Sequence, residues 1–264
     1  MSREGTVVRD KAGFLERRKD RRLGVLTVLV VLGLWEAVGR SGWVSPFFLP
    51  PLTQVLLSGW EMTRSGEVFS HLAASLWRIG SGFAAGAGLG VLLGVALGFS
   101  QKADDAIHPL VAATYPVPKI AVLPLLILWL GIGEASKVAV IGLGVFFPVA
   151  INARAGVRNV DPLLVKAALS LGSGRWGVVR KVILPASLPM IFAGLKLGVG
   201  IALLLVVTAE MIAAESGVGF LILSAADLMQ TTRLLFGIML LSGLGLFLSW
   251  LLGRVERKLI PWRG

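Results

Sequence analysis

Cysteine is absent from the 264-residue sequence, which excludes disulfides and thiolate metal sites. Histidine occurs only at His71 and His108, far apart and without a second ligand at helical spacing, so both read as interfacial or packed residues and no metal site is expected. A phosphate-cradling G-x-x-x-x-G-K-[ST] loop is missing too, and the chain therefore shows no ATP site of its own. Gly172-Ser-Gly-Arg-Trp-Gly177 does fit G-x-G-x-x-G, but it follows a helical pattern instead of a strand in a βαβ unit and is a coincidence of small residues. No His, Asp or Ser constellation converges in the sequence, which argues against an integral-membrane enzyme. Charge is scarce as well, at 16% of residues against roughly a quarter in soluble domains. The deficit is concentrated: Ile79–Phe99 and Leu234–Gly253 carry no charged residue. Each run is near the ~20 residues that a bilayer-spanning helix needs. With a mean hydropathy of +0.81, the chain reads as an all-α polytopic membrane protein.

Six transmembrane helices are predicted, over 23–39, 76–99, 107–131, 137–152, 189–213 and 234–253. The net charge of +11 is distributed around them. With the N-terminus inside, nineteen Lys and Arg fall in the inner segments 1–22, 100–106, 153–188 and 254–264, and three (Arg40, Arg64, Arg233) fall outside. Positive charge selects the inner side, so both termini are expected in the cytoplasm. The alternation of basic segments with apolar spans argues against nucleic-acid binding. Basic residues leading into apolar Leu23–Trp35 resemble a signal peptide, but Trp35 and Glu36 argue against cleavage and for a retained first span. The expected organisation is a basic cytoplasmic segment 1–22, a first span and external loop 23–69, a membrane core 70–253 containing the cytoplasmic loop 153–188, and a cytoplasmic tail 254–264.

Within the second span, Gly82, Gly86, Gly90, Gly94 and Gly98 recur every four residues and form a stripe on one helical face. Small residues let helices in lipid approach closely; the partner is another helix of the same subunit or a second copy. Pro109, Pro116, Pro118 and Pro124 interrupt the third span and Pro148 the fourth. Such breaks suit a transport pathway and suit kinked structural helices equally. Intramembrane charges are functional candidates by default. Glu36 and Lys196 lie near span ends and read as interfacial or snorkelling. Glu210 lies deeper, before the turn containing Gly217 and Gly219, and reads as a pathway residue or as a hydrogen-bonding part of an external gate. Leu221–Leu228 is expected to form a short external helix.

The cytoplasmic stretch Asp161–Pro189 has the most definite local pattern. Asp161-Pro162 begins a helix, with Asp capping free amides and Pro suited to the first turn. Leu164, Ala168 and Leu171 line one face, and Gly172 supplies a left-handed stop. Ser173 is expected to cap a second helix with Trp176, Val179 and Ile183 on its apolar face, ended by Pro185. An apolar edge in cytosol needs a partner, either the bundle itself or another protein.

The spacing in this stretch resembles the loop of ABC importer permeases, E-A-A, three residues, G, nine residues, I-x-L-P. Here Lys166-Ala167-Ala168, Gly172 and Val182-Ile183-Leu184-Pro185 occupy those places, with Lys for Glu at the start and Val for Ile. Further stretches resemble the nitrate/sulfonate/taurine-type branch: Ser75-Leu-Trp-Arg-Ile-Gly-Ser-Gly-Phe83, Leu123-Pro-Leu-Leu-Ile-Leu-Trp-Leu-Gly-Ile-Gly-Glu134, Ala186-Ser-Leu-Pro-Met-Ile-Phe-Ala-Gly-Leu-Lys196, Ala209-Glu-Met211 and Gly217-Val-Gly219. The resemblance implies a type I ABC importer permease fold in a prokaryotic inner membrane, with no catalysis on this chain. It implies cytoplasmic ABC ATPases that bind ATP and Mg, a second permease copy, and an extracytoplasmic solute-binding protein. By the same resemblance Lys166, Ala167, Ala168, Gly172, Trp176, Leu184 and Pro185 form the ATPase-coupling element, and the solute is nitrate, a sulfonate, taurine or a related small molecule. A secondary carrier or channel is the competing function, and it would have no use for the 166–185 loop.

Overall fold

A computed structural model describes residues 23–263, so the basic segment 1–22 lies outside the described residues. The described residues form eleven helical segments and short 3-10 turns. These are α1 (Leu23–Arg40), α2 (Leu52–Arg64), α3 (Glu67–Phe99), α4 (Gln101–Thr114), α5 (Leu123–Leu130) and α6 (Glu134–Arg158). They continue with α7 (Pro162–Ser170), α8 (Arg175–Val178), α9 (Leu184–Ala213), α10 (Val218–Asp227) and α11 (Thr231–Leu259). A π turn at Val179–Ile183 joins α8 to α9 in one rod, Arg175–Ala213.

Five of these are long and apolar enough to cross a bilayer, α1, α3, α6, the α8–α9 rod and α11. The sixth crossing follows from direction. Gly82 of α3 meets Ile141 of α6 and Gly98 meets Val157, so the two helices run parallel. The chain between them must therefore return through the bundle, and it does so as a pair, α4 and 119–130, bent by 89°. The expected third span is thus not one kinked helix over 107–131. Tyr115 still has helical geometry and its amide donates to the Val111 carbonyl, but Pro116 and Pro118 beyond it lack amide donors and cannot continue the pairing, which opens a break between α4 and α5. Pro148, by contrast, sits inside an unbroken α6.

The core is a three-helix wedge of α3, α6 and α9: Ile79, Val140, Ile141, Val145, Val149, Ala202, Val206 and Ala209 are buried there, with Leu123 and Leu126 of α5 against them. The glycine stripe faces α6. A Cβ on Gly82 would lie 2.7 Å from the Ile141 side chain, on Gly90 2.7 Å from the Phe146 carbonyl oxygen, and on Gly98 2.5 Å from Val157. On Gly86 and Gly94 it would overlap the carbonyl oxygens of Gly142 and Ala150. The four-residue repeat thus sets the closest helix contact in the bundle. A second cluster, Met62, Val68 and Leu221 with Phe236 and Leu240, closes the end of the bundle where α3 begins. At that end the Glu36 carboxylate accepts from the Thr53 amide at 3.0 Å and pairs with Arg40, fixing α1 to the first turn of α2. Lys196 is likewise held, 2.5 Å from Glu256.

Several helices outrun their apolar stretches. α3 begins at Glu67, nine residues before the expected span, because Ser70, His71 and Ser75 lower hydropathy without breaking helix geometry. The rod Arg175–Ala213 has 39 residues, about 58 Å of helix against a hydrocarbon core of about 30 Å. Its first turns must project beyond the bilayer.

Candidate functional site

The two ends of this rod carry the two groups of candidate residues. At its start is the α7–α8 corner. Asp161 accepts a 2.8 Å hydrogen bond from the Leu163 amide, and Pro162 follows it. At the other end of α7 the Ser173 amide donates to the Ala168 carbonyl (3.0 Å) and the Gly172 amide to the Leu169 carbonyl (2.9 Å). This is a Schellman closure, and it places Gly172 at φ +82°, where a side chain would be strained. Ser173 does not cap the next helix. Gly174 stands at that position, without a side-chain cap. Pro185 does not end the helix either, because the preceding π turn shifts the amide–carbonyl pairing where its missing donor would be felt.

No residue of α7 is buried. Leu171 and Trp176 are 86% and 83% exposed, and Leu163, Leu164 and Leu169 are also exposed. Lys166 and Ala167 are exposed on the same short helix, with Ala168 half-buried, while Leu184 and Pro185 lie half-buried in the rod. The corner is rigidly closed at the backbone and presents an apolar surface that the bundle leaves uncovered.

At the far end of the rod is a buried polar cluster. Glu210 is 0% exposed and accepts hydrogen bonds from three donors: Ser75 Oγ (2.8 Å), Arg78 Nη1 (2.8 Å) and the Gly219 amide (2.8 Å). Arg78, 3% exposed, also donates to both carboxylate oxygens of Glu134 (2.7 and 2.8 Å) and to the Ser216 carbonyl (2.6 Å). Lys137 donates to the Ala213 carbonyl at 3.0 Å and lies 3.5 Å from Glu134. The Val218 amide donates to Ser75 Oγ at 2.8 Å, and the Gly217 amide to His71 Nδ1 at 3.1 Å. Two cations and two carboxylates thus neutralise each other inside the protein. Between them they tie α3 and α6 to the turn that leaves α9. Glu210 also supplies a carboxylate at the N-terminus of α10, where free amides and the helix dipole favour one.

Gly217 and Gly219 fit around it. Gly217 has φ +121°, and a Cβ there would overlap the Glu210 carboxyl group; on Gly219 a Cβ would lie 2.9 Å from Glu210 Cβ. Arg78, Glu134, Lys137 and Ser75 were not singled out as site residues by sequence reasoning. Arg78 and Lys137 carried a signal, as charges just inside the ends of expected spans, whereas Glu134 fell in the expected loop 132–136 and Ser75 just before the second span. His71 and His108 lie on separate helices at different depths, and among the described residues no group of three or more His, Asp or Glu can hold a metal.

At the opposite end, Asp104 of α4 pairs with Arg154 and Arg158 of α6, the latter at 3.1 Å, and holds the start of the bent pair against α6.

Residues 86–261 match the model of the family "Binding-protein-dependent transport system inner membrane component". The chain belongs to that family. It is the permease subunit of an ABC importer, a multi-pass inner-membrane protein, with ATP hydrolysis on a partner ATPase. This sets aside a secondary carrier. The permease is 40% identical over 256 residues to an aliphatic sulfonates transport permease protein of Bacillus subtilis, covering 97% of this chain and 92% of the relative. It is 39% identical over 247 residues to the taurine transport system permease protein of Escherichia coli, covering 92% and 90%. Its fold resembles a chain of the inward-facing MetNI methionine ABC transporter, with TM-score 0.57, 20% identity, and coverage of 76% and 97%. The architecture of such importers combines the permease with ATPases and a duplicate permease.

Proposed function

We propose that this permease, as a homodimer, imports a small sulfonate such as taurine, delivered by an extracytoplasmic solute-binding protein and driven by a cytoplasmic ATPase that binds ATP and Mg. The identity of about two residues in five to sulfonate and taurine permeases, along nearly the whole chain, supports the solute class. The skew of positive charge supports an orientation with the α7–α8 corner and both termini in the cytoplasm.

The observation that carries the coupling role is the uncovered apolar corner, Ala167–Gly172 with Trp176, at the projecting end of a rigid rod. Seated in the ATPase, it converts closure of the ATPase pair into rigid-body motion of that rod. The other end of the same rod holds Glu210 and, through it, the Ala214–Gly219 turn. Motion at the cytoplasmic end is thereby linked to the outer closure formed by Arg78, Glu134 and Glu210. Glu210 acts in the gate through its hydrogen bonds. A direct contact between its carboxylate and a sulfonate would be repulsive.

The test is uptake of labelled taurine into proteoliposomes containing permease and ATPase, with the solute-binding protein supplied. ATP-dependent accumulation is expected. Uptake that proceeds equally without ATP, or its absence with taurine and ethanesulfonate alike, contradicts the proposal.

A further inference from the structure

The break between α4 and α5 contains a cation that the coupling and closure elements do not use. Lys119 Nζ donates to three backbone carbonyls in the break, Thr114 (2.7 Å), Tyr115 (3.1 Å) and Val117 (2.9 Å). It also lies 4.2 Å from the centre of the Phe147 ring. That contact fixes its depth. Phe147 is near the middle of α6 (Glu134–Arg158), about 20 Å along the axis from one end and about 17 Å from the other. Lys119 therefore sits near the mid-plane of the membrane, half-buried.

An ammonium at that depth is costly, by about 3 kcal/mol even on the most lenient insertion scale. The other cations between the ends of the core are neutralised: Arg78 and Lys137 by Glu134 and Glu210, Arg154 by Asp104, and Lys196 by Glu256. Among the described residues Lys119 reaches dipoles and a ring face but no carboxylate. The carbonyls and ring hold the charge in place without cancelling it. Irregular backbone at membrane depth is stable where it lines a cavity, and mid-plane breaks are where discontinuous helices form solute sites.

We infer that Lys119 is an anion-binding residue of the translocation path, taking the sulfonate or similar oxyanion of the solute at the mid-plane. The assignment rests on the proposed sulfonate class and sharpens it, since a neutral or cationic solute gains nothing from this charge. An arriving oxyanion replaces the Tyr115 carbonyl, the longest of the three contacts, and the ammonium passes from dipoles to a full counter-charge.

The experiment is isothermal titration of the permease–ATPase complex in nanodiscs with ethanesulfonate and with its uncharged analogue ethyl methyl sulfone. Wild type is expected to bind the sulfonate in preference to the sulfone. Lys119→Arg should keep that binding within a few-fold, and Lys119→Met and Lys119→Gln should weaken it about 10- to 100-fold. Lys119→Gln retains donors for the break, so it remains informative if Lys119→Met does not fold. Sulfonate binding by Lys119→Gln equal to wild type overturns the inference. So does a wild-type complex that binds none of ethanesulfonate, nitrate, acetate or phosphate. If wild type prefers nitrate, acetate or phosphate, and Lys119→Gln loses that binding, the site stands and the sulfonate class falls.

Discussion

Replacing Glu210 by Ala should destabilise this permease more than deletion of Glu134, the other carboxylate of the buried polar cluster. The side chain has no exposed surface and accepts from Arg78, Ser75 and the Gly219 amide, each at 2.8 Å. Removing one partner of a buried ion pair costs about 3–5 kcal/mol. Arg78 retains Glu134 and the Ser216 carbonyl, which places that part at the lower end. An orphaned buried amide at Gly219 adds about 1–3 kcal/mol, giving a total of about 4–6 kcal/mol. Glu210→Gln keeps the volume but turns an amide group toward one of three donors, so a loss of about 2 kcal/mol is expected. Glu134→Ala is the control. Its side chain is 50% exposed and water can replace it at Arg78, so the loss should be about 1 kcal/mol. Unfolding of the three variants in mixed micelles, titrated with SDS, gives the order directly. Equal losses for Glu210→Ala and Glu134→Ala, or a Glu210→Ala variant within about 0.5 kcal/mol of wild type, would refute the assignment of Glu210 as the keystone of the cluster.

Gly86→Ala should cost about 1–3 kcal/mol, because its Cβ would overlap the Gly142 carbonyl oxygen and force α3 from α6. Gly88→Ala, on the same helix with nothing within 4 Å of its Cβ, should be neutral or stabilising by up to about 1 kcal/mol. The same SDS titration compares them, and equal effects would contradict the packing of the stripe on α6. Gly217→Ala should lower stability by more than Gly42→Ala: both have positive φ, but only the former points a Cβ at the Glu210 carboxyl. Asp161→Ala should loosen α7 by about 1 kcal/mol, read as faster hydrogen exchange at Leu163 and Leu164 with no change in α3 or α6.

The legible parts of this molecule are those written in local chemistry. Uncharged runs of sufficient length located α3 and α11, predominantly apolar stretches located α1, α6 and α9, the four-residue glycine period fixed which face of α3 packs closely, and Asp161-Pro162 and Gly172 marked both ends of α7. What escaped depends on neighbours distant in sequence. Arg78 and Glu134 are 56 positions apart and Arg78 and Glu210 are 132 apart, and each alone looks like a flanking charge. The 89° bend needs two prolines acting together with a lysine that caps the carbonyls they free. Continuation of the helix through Pro185 depends on a π turn that has no residue-level signature. The amphipathic helix α2, inside what reads as an external loop, is stabilised by its contact with α11, where Gly59 admits the Phe236 ring.

The central claim is that the α7–α8 corner transmits work from a separate ATPase, and the most direct measurement is co-purification of that ATPase with tagged permease from solubilised membranes. Wild-type permease should retain the ATPase. Trp176→Ala and Gly172→Asp should insert and span the membrane as wild type does, but release the ATPase on washing and lose ATP-driven uptake. Retention of the ATPase and normal uptake by both variants would contradict the account.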